Sequence, residues 1–261
     1  MTESSGVLYV VVGRHTKRYL GEARRAVRSL HEQCPDVKSA IVVDRPKLVD
    51  AGTRKLFDLI IPMPVINVDD KLILSKRIVG LIFTPFERTL YLDTDTQVCG
   101  DVSDVFGVLD YYDMGMVYSV HRLWHKNLAI YGEDIPDWLP EFNGGVIVYH
   151  KSDVMIRLFT QWQQLHVRMD EWNDQMALRV VLWHCIQRYG LRIYPLPCEY
   201  GVWVASPQPL GMRVRVIHGR KGLLQMCKKI NKSIGRIRLW MPHPVADLMD
   251  WKRFHRVYKG G

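Results

Sequence analysis

The chain has 261 residues, of which 48% are hydrophobic and 24% charged, and its formal net charge is +9. This length is enough for one large α/β domain or two small ones, and the composition is that of a globular protein. No apolar run approaches the roughly 20 residues of a membrane-spanning helix, and residues 1–5 lack the basic and apolar stretches of a secretion signal.

The first half of the chain alternates short apolar runs with helical patterns. The first run ends at Gly13, as a buried strand does, and the second helical pattern stops before Pro85, which helices rarely tolerate inside. This alternation predicts a mostly parallel sheet covered on both faces, with ligands bound beyond the carboxyl ends of its strands. The predicted strands are 8–12, 40–43, 59–61 and 89–92, and the predicted helices are 19–30 and 72–83.

The second half has longer helical patterns and less regular strands. Residues 121–140 are polar, aromatic and proline-bearing, which suits a substrate-facing lid. His121, Trp124 and His125 are acceptor-site candidates by position only, and plain surface positions are the favoured interpretation. We find no repeat or linker, so we predict a single α/β domain over 1–261 with a mixed, mainly parallel sheet flanked by helices. The predicted strands are 114–120, 146–149 and a last one at 214–217, and the predicted helices are 152–167 and 175–189.

Positive charge is concentrated at the C-terminal end. From Arg213 onward there are 13 Lys and Arg against 2 Asp, whereas the first 212 residues hold 23 basic and 25 acidic groups. Segment 223–261 is therefore basic, and it is also rich in aromatic residues. This asymmetry predicts an anionic partner, which is a phosphate group, an anionic membrane surface or nucleic acid. A solvated tail is an equal alternative.

The five cysteines are odd in number and include no Cys-x-x-Cys pair. They indicate reduced thiols rather than a disulfide framework or a zinc site. We therefore expect a cytoplasmic protein, with peripheral membrane contact through the basic segment as an option.

Two carboxylates follow the predicted strand 89–92. Asp93 and Asp95 lie one residue apart, and side chains at such spacing in an extended segment point the same way. Two hard oxygen ligands can share a divalent cation whose other ligands are diphosphate oxygens. The alternative is a solvated turn, since aspartate is common at strand ends.

Four segments, in order, resemble family 8 glycosyltransferases, the glycogenin-like group with the GT-A fold. FERTLYLDTDT at 86–96 resembles the family's Asp-x-Asp segment, and FNGGVIV at 142–148 its Phe-Asn-x-Gly strand. WNDQ at 172–175 is similar to its Asp-Gln pair, and VIHGRKG at 216–222 to its late histidine segment. The last segment departs from the usual His-x-x-Gly-x-x-Lys, because glycine follows the histidine directly and lysine comes three residues on.

The resemblance implies a role for each matching residue. The implied metal ligands are Asp93, Asp95 and His218. The implied donor contacts are Gly13 and Tyr19 at the base, Lys76 or Arg77 at the sugar or phosphate, Thr94 between the aspartates, Gly145 at the sugar, and Gly219 with Lys221 at the diphosphate. The implied catalytic residues at the donor sugar are Asn143, Asp174 and Gln175.

Three of these residues could instead have purely structural roles. A single histidine such as His218 is more often structural than a ligand, although a following glycine lets the backbone approach a phosphate. Asn143 precedes two glycines and fits a turn. Asp174 fits the N-cap of the predicted helix 175–189.

The predicted activity is transfer of a sugar from a nucleotide diphosphate donor, most simply a UDP-sugar, to a glycan, protein or lipid acceptor. Two carboxylates with one imidazole suit Mn²⁺, with Mg²⁺ as the alternative. The resemblance implies that the anomeric configuration is retained. The sequence offers no obvious tuned base for inversion, and the lid acids Glu133, Asp134 and Asp137 stay open as candidates.

Other activities fit parts of the sequence. A haloacid-dehalogenase-type phosphatase also uses an Asp-x-Asp pair, but on its first strand and with a further acidic pair, whereas residues 213–246 contain no acid. A nucleotidyltransferase shares this metal chemistry and stays open as the second choice. Such enzymes usually have a glycine-rich, basic loop after the first strand, and residues 13–18 of this chain are basic but include only Gly13. A nucleic-acid-binding protein is the non-enzyme alternative, and we disfavour it.

Overall fold

The first half of the chain folds as the predicted alternation of strands and helices. The computed structural model describes residues 4–66, 69, 72–119, 134–170, 173–220, 222–233 and 238–240. Every strand and helix predicted in this half is confirmed to within a few residues. The elements are β1 (Ser5–Val11), α1 (Thr16–Gln33), β2 (Lys38–Val43), a short α2 (Ala51–Arg54), β3 (Leu59–Pro62), α3 (Ile73–Ile82) and β4 (Arg88–Leu92).

The second half contains the two predicted long helices and more strands than the sequence indicated. Ser152 caps the first of these helices by accepting a hydrogen bond from the Met155 N–H, and Asp170 ends it in the left-handed conformation. Gly190, with φ of 65°, ends the second. The elements are β5 (Thr96–Val98), β6 (Met114–Tyr118), β7 (Phe142–His150), α4 (Asp153–Met169), α5 (Gln175–Tyr189), β8 (Ile193–Leu196), β9 (Val202–Trp203), β10 (Gln208–Leu210), β11 (Val216–His218), α6 (Leu223–Ile230) and β12 (Arg238–Trp240).

A seven-stranded sheet forms the centre of the fold, in the order β3-β2-β1-β4-β7-β6-β8. All neighbouring pairs are parallel except those that involve β7, which runs antiparallel to both β4 and β6. The sheet is therefore mixed and mainly parallel, as predicted. Because β4 is the central strand, its carboxyl end lies in the middle of the edge at which such sheets bind ligands.

Helices cover both faces of this sheet. Alternate residues of β1 point to opposite faces, so Tyr9 packs with Leu30 of α1 while Val10 packs with Leu81 of α3. The face that carries α3 is also covered by α4 and α5. Burying each of these large apolar side chains stabilises the fold by roughly 1.5–3 kcal/mol.

Short strands build a second sheet beside the first, in the order β5-β11-β9. β11 pairs antiparallel with β5, which places His218 opposite Thr96. The predicted strand at 214–217 is confirmed as β11, which starts at Val216. The prediction that it is the last strand was wrong, because β12 follows it and pairs with β10. Three-residue strands such as these carry no periodicity that a sequence pattern reveals.

Two predicted segments lie wholly or partly outside the described residues. Residues 121–133 of the predicted lid, with His121, Trp124, His125 and Glu133, are outside them, as are residues 234–237 and 241–261 of the basic segment. Across the ranges that the structure does describe, no helix has the length and apolar character needed to cross a membrane.

Candidate active site

Asp93, Asp95 and His218 meet at the carboxyl end of β4. Asp93 is the first residue after β4, Asp95 immediately precedes β5, and His218 ends β11, which pairs with β5. The His218 Nε2 atom lies 3.1 Å from Asp95 Oδ1 and 3.4 Å from Asp93 Oδ2. One ligand atom from each residue can be chosen so that all three lie within 4.8 Å of one another. The structure thus brings together the three residues expected to share an ion.

The electrostatics of this cluster favour positive charge. Burial alone would lower the pKa of His218, but the hydrogen bond to Asp95 and the charge of Asp93 raise it above its usual value. Burial alone would raise the pKa of Asp95, but the hydrogen bond from His218 and the nearby charge of Arg220 lower it. The carboxylates that hold a proton on the imidazole are therefore placed to hold a cation instead.

The space around the cluster fits a metal ion. A Cβ atom on Gly145 would lie 2.5 Å from His218 Cε1 and 2.8 Å from Asp93 Oδ2, so only glycine leaves both ligands in place. The His218 Nδ1 atom is buried and has no hydrogen-bond partner among the described residues. Nε2 is the nitrogen that faces both carboxylates, and two carboxylate oxygens with one imidazole suit a divalent cation.

Arg77 connects the cluster of Asp93, Asp95 and His218 to Asp174. One terminal nitrogen of its guanidinium lies 2.9 Å from Asp93 Oδ1, and the other bonds Asp174 Oδ2. Burial alone would lower the pKa of Arg77, but the charges of Asp93 and Asp174 raise it well above its usual value. Trp162 on α4 supports this arrangement, since its indole N–H donates to the Asp174 backbone carbonyl at 2.9 Å. Tyr91 completes it by donating its hydroxyl to Asp93.

A cavity of about 470 Å³ opens on one side of the cluster, and Tyr19 lines it. Gly13 lies next to this cavity: its N–H donates to Asp44 Oδ2 at 2.9 Å, and its φ of 84° favours glycine. The wall of this cavity therefore contains both an aromatic ring and the acidic cluster. Its lining consists of Val10, Val12, Tyr19, Glu22, Ile73, Leu74, Arg77, Asp93, Thr94, Asp95, Trp203, His218 and Arg220.

A second cavity of about 220 Å³ adjoins the cluster and shares Arg77, Asp93 and His218 with the first. Asn143 is part of β7 rather than a turn, and its side-chain oxygen accepts from the Gly145 N–H. Three of the predicted sugar-site side chains, Asn143, Asp174 and Gln175, thus face one space. The lining consists of Leu74, Arg77, Asp93, Tyr118, Ser119, Asn143, Gly144, Gly145, Asn173, Asp174, Gln175, Trp203, Gln208 and His218.

Asp174 occupies the N-cap position of α5 without acting as a side-chain cap. The cap is supplied by Asn173, whose Oδ1 accepts from the Gln175 N–H at 2.9 Å. Asp174 is 4% exposed, and its carboxylate is bound by Arg77 instead. Because Asn173 supplies the cap, the Asp174 side chain is not used for capping and lines the smaller cavity instead.

The structure also locates the other predicted donor contacts that it describes. Of the Lys76 and Arg77 pair, Arg77 lines both cavities, whereas Lys76 is buried and lines neither. Gly219 donates its N–H to the Asp95 backbone carbonyl at 2.9 Å, which fixes the loop after β11 against the aspartate pair. Lys221 lies outside the described residues.

Two site residues escaped the sequence reasoning. Arg220 has its Nε 3.3 Å from Asp95 Oδ2 and lines the larger cavity, and its signal was its position two residues after His218. Trp203 lines both cavities because β9 pairs with β11 next to His218. Such a two-residue strand leaves no periodic signal in the sequence.

Comparisons with known proteins place this fold among glycosyltransferases of solved structure. No protein-family model matches the chain, and no curated protein does. Mouse xyloside xylosyltransferase 1 superposes with a TM-score of 0.51 at 16% identity, over 83% of this chain and 98% of that one. The galactosyltransferase LgtC, solved with donor and acceptor sugar analogues, gives 0.54 at 13% identity over 94% and 100%. The bifunctional glycosyltransferase WbbM gives 0.50 at 16% over 78% of this chain and 40% of its own. At these identities the likeness shows the fold, which is GT-A, as predicted.

Proposed function

We propose that this chain is a metal-dependent glycosyltransferase of the glycogenin-like family 8, which transfers a hexose-type sugar from a UDP-sugar with retention. The observation that carries the proposal is the cluster of Asp93, Asp95 and His218 at the junction of two cavities. The larger cavity has the size and the aromatic wall for a nucleoside diphosphate, and the smaller one has room for a single sugar ring. The bond to be broken would therefore lie at the cluster.

The three clustered side chains would hold the metal, with Mn²⁺ preferred and Mg²⁺ as the alternative. A divalent cation at this place supplies positive charge to the diphosphate as its bond to the sugar breaks. Arg220 is half-exposed and lines the same cavity, so its guanidinium can donate to the departing phosphates. The resemblance implies the same role for Lys221.

The sugar would be oriented by side chains of the smaller cavity. Asn143 and Gln175 offer carboxamide groups to its hydroxyls, and Asp174 offers a carboxylate whose direction is fixed by Arg77. A fixed negative charge beside the anomeric carbon stabilises the positive charge that develops there. Asp174 therefore contributes mainly in the transition state.

The ion pairs of the carboxylates support the proposal of retention. Among the described residues that line the smaller cavity, Asp93 and Asp174 are the acids, and Arg77 binds both. Neither is free to act as the base that inversion requires on the face opposite the diphosphate. In a front-face transfer the leaving diphosphate accepts the acceptor's proton, so positioning and charge stabilisation suffice.

Calorimetry with UDP, GDP and dTDP, each with Mn²⁺ and with EDTA, tests the donor and the metal together. We expect tight binding of UDP with Mn²⁺ and a large loss of affinity in EDTA. The matched variant is Asp95→Asn, which keeps the side-chain size and removes one ligand charge. Equal, metal-independent binding of all three nucleotides would contradict the proposal.

A hydrolysis screen across nucleotide sugars then identifies the sugar, and NMR of the product's anomeric proton determines the stereochemistry. We expect an α-linked product from an α-linked donor. A β-linked product would overturn retention and direct attention to the acids of the predicted lid. Formation of UTP and a sugar 1-phosphate when pyrophosphate is added to the nucleotide sugar would instead identify a nucleotidyltransferase.

A further inference from the structure

A pair of cysteines lies outside the proposed active site, between β5 and α6. Cys99 follows β5 directly and is buried, and Cys227 lies in the middle of α6 and is partly exposed. Both side chains line one cavity, and each thiol is the largest influence on the pKa of the other. Residues that lie far apart in the sequence therefore place two thiols beside the same cavity.

The surroundings of this pair resemble a reactive thiol site rather than ordinary core packing. A cavity of about 310 Å³ is lined by both cysteines together with Arg213 and Lys228. Glu32 of α1 is the acid that faces the same cavity. Two cations against one carboxylate favour an ionised thiol, and the thiolate is the nucleophile in disulfide exchange.

The two thiols differ in character. The hydrogen bond from Cys99 lowers the pKa of Cys227, and the charges of Arg213 and Lys228 act in the same direction against its burial. The same hydrogen bond, together with burial, raises the pKa of Cys99. Cys227 is thus the accessible, more acidic partner and Cys99 the protonated one behind it.

We propose that Cys227 and Cys99 form an oxidisable thiol pair that reacts with low-molecular-weight disulfides. The Cys227 thiolate attacks one sulfur of the disulfide, which forms a mixed disulfide and releases one thiolate of the reagent. Cys99 then loses its proton and attacks the Cys227 sulfur, which forms the Cys99–Cys227 bond and releases the second thiolate. Two protein thiols and one reagent disulfide thus give one protein disulfide and two reagent thiols.

A Cys99–Cys227 disulfide would act on the loop after β11, which leads into α6. α6 starts directly after Gly222, and Gly222 and Leu224 line a small cavity together with Asp95 and Arg220. β5 starts directly after Asp95. A covalent bond between β5 and α6 therefore ties together the two segments that carry these residues.

The test uses the full chain in glutathione redox buffers of graded ratio, quenched with acid and mapped by peptide mass. We expect the Cys99–Cys227 disulfide to form before any other cysteine is modified, and to lose this preference in urea. In Cys99→Ser the mixed disulfide with glutathione should accumulate at Cys227, whereas in Cys227→Ser residue Cys99 should stay unmodified. Cys185→Ser, which removes a different buried thiol, is the matched control and should change nothing.

Two results would overturn the proposal. One is that glutathione disulfide modifies Cys34, Cys185 or Cys198 of the folded protein before Cys227. The other is that the link forms but lowers Tm, because a disulfide that fits the native geometry restricts the unfolded chain and should raise Tm by roughly 5–15 °C. Neither readout depends on glycosyl transfer, so the thiol pair and the proposed enzyme can fail separately.

Discussion

Replacing Gly145 with alanine perturbs the Asp93, Asp95 and His218 cluster without removing any of its side chains. The added Cβ would lie 2.5 Å from His218 Cε1, about 1 Å inside the ordinary carbon–carbon contact of roughly 3.5 Å. Gly145 is not one of the described glycines with positive φ, so the strain is a clash and not a backbone conformation. β7 is held on both sides by β4 and β6. The overlap must therefore be relieved by moving His218 or Asp93.

Overpacking of this kind costs about 1–3 kcal/mol, and each 1.4 kcal/mol is a factor of ten in affinity. We expect Gly145→Ala to weaken Mn²⁺ binding roughly 10–100-fold, measured by electron paramagnetic resonance of free Mn²⁺ during titration. Gly107→Ala is the matched control, because a Cβ there meets nothing within 4 Å. Unchanged Mn²⁺ affinity in a folded Gly145→Ala protein would refute the assignment of His218 and Asp93 as ligands.

Three further substitutions test other parts of the structure. Asp174→Asn should lower kcat about 100-fold while donor KM changes only a few-fold, since its carboxylate acts mainly in the transition state; equal loss in both would contradict this role. Arg220→Ala should weaken UDP binding in Mn²⁺ about 10-fold by calorimetry and leave Tm unchanged, and wild-type affinity would remove Arg220 from the donor site. Burial alone would raise the pKa of Asp113, but hydrogen bonds from Arg192 lower it. This carboxylate therefore stabilises the fold fully above its unfolded pKa of about 3.9. The stabilisation is lost as pH falls through the lower pKa of the folded state. The Tm difference between wild type and Asp113→Asn should therefore be largest near pH 7 and shrink in acid, and a difference independent of pH would count against the ion pair.

The sheet was predictable where strands are long and apolar. β1, β2 and β4 each bury nearly all of their residues, so continuous apolar runs mark them in the sequence. The apolar run of β4 also located Asp93 and Asp95. Because the two carboxylates follow this run directly, the sequence showed that they lie at the carboxyl end of a buried strand.

Other site features depend on contacts that no local pattern contains. The pairing of β11 with β5 brings His218 to Asp95 across more than a hundred residues, and only the family resemblance indicated it. Arg77 joins α3 to the cluster and to Asp174, again through tertiary packing. The steric need for glycine at 145 likewise arises only when His218 and Asp93 converge on it.

Anomalous diffraction at the manganese absorption edge, from crystals grown with Mn²⁺ and UDP, tests the central claim most directly. We predict one strong peak within about 2.5 Å of an oxygen of Asp93, an oxygen of Asp95 and the Nε2 atom of His218, with the UDP phosphates beside it. A peak held by other residues, or UDP bound in the larger cavity with no manganese at the cluster, would contradict it.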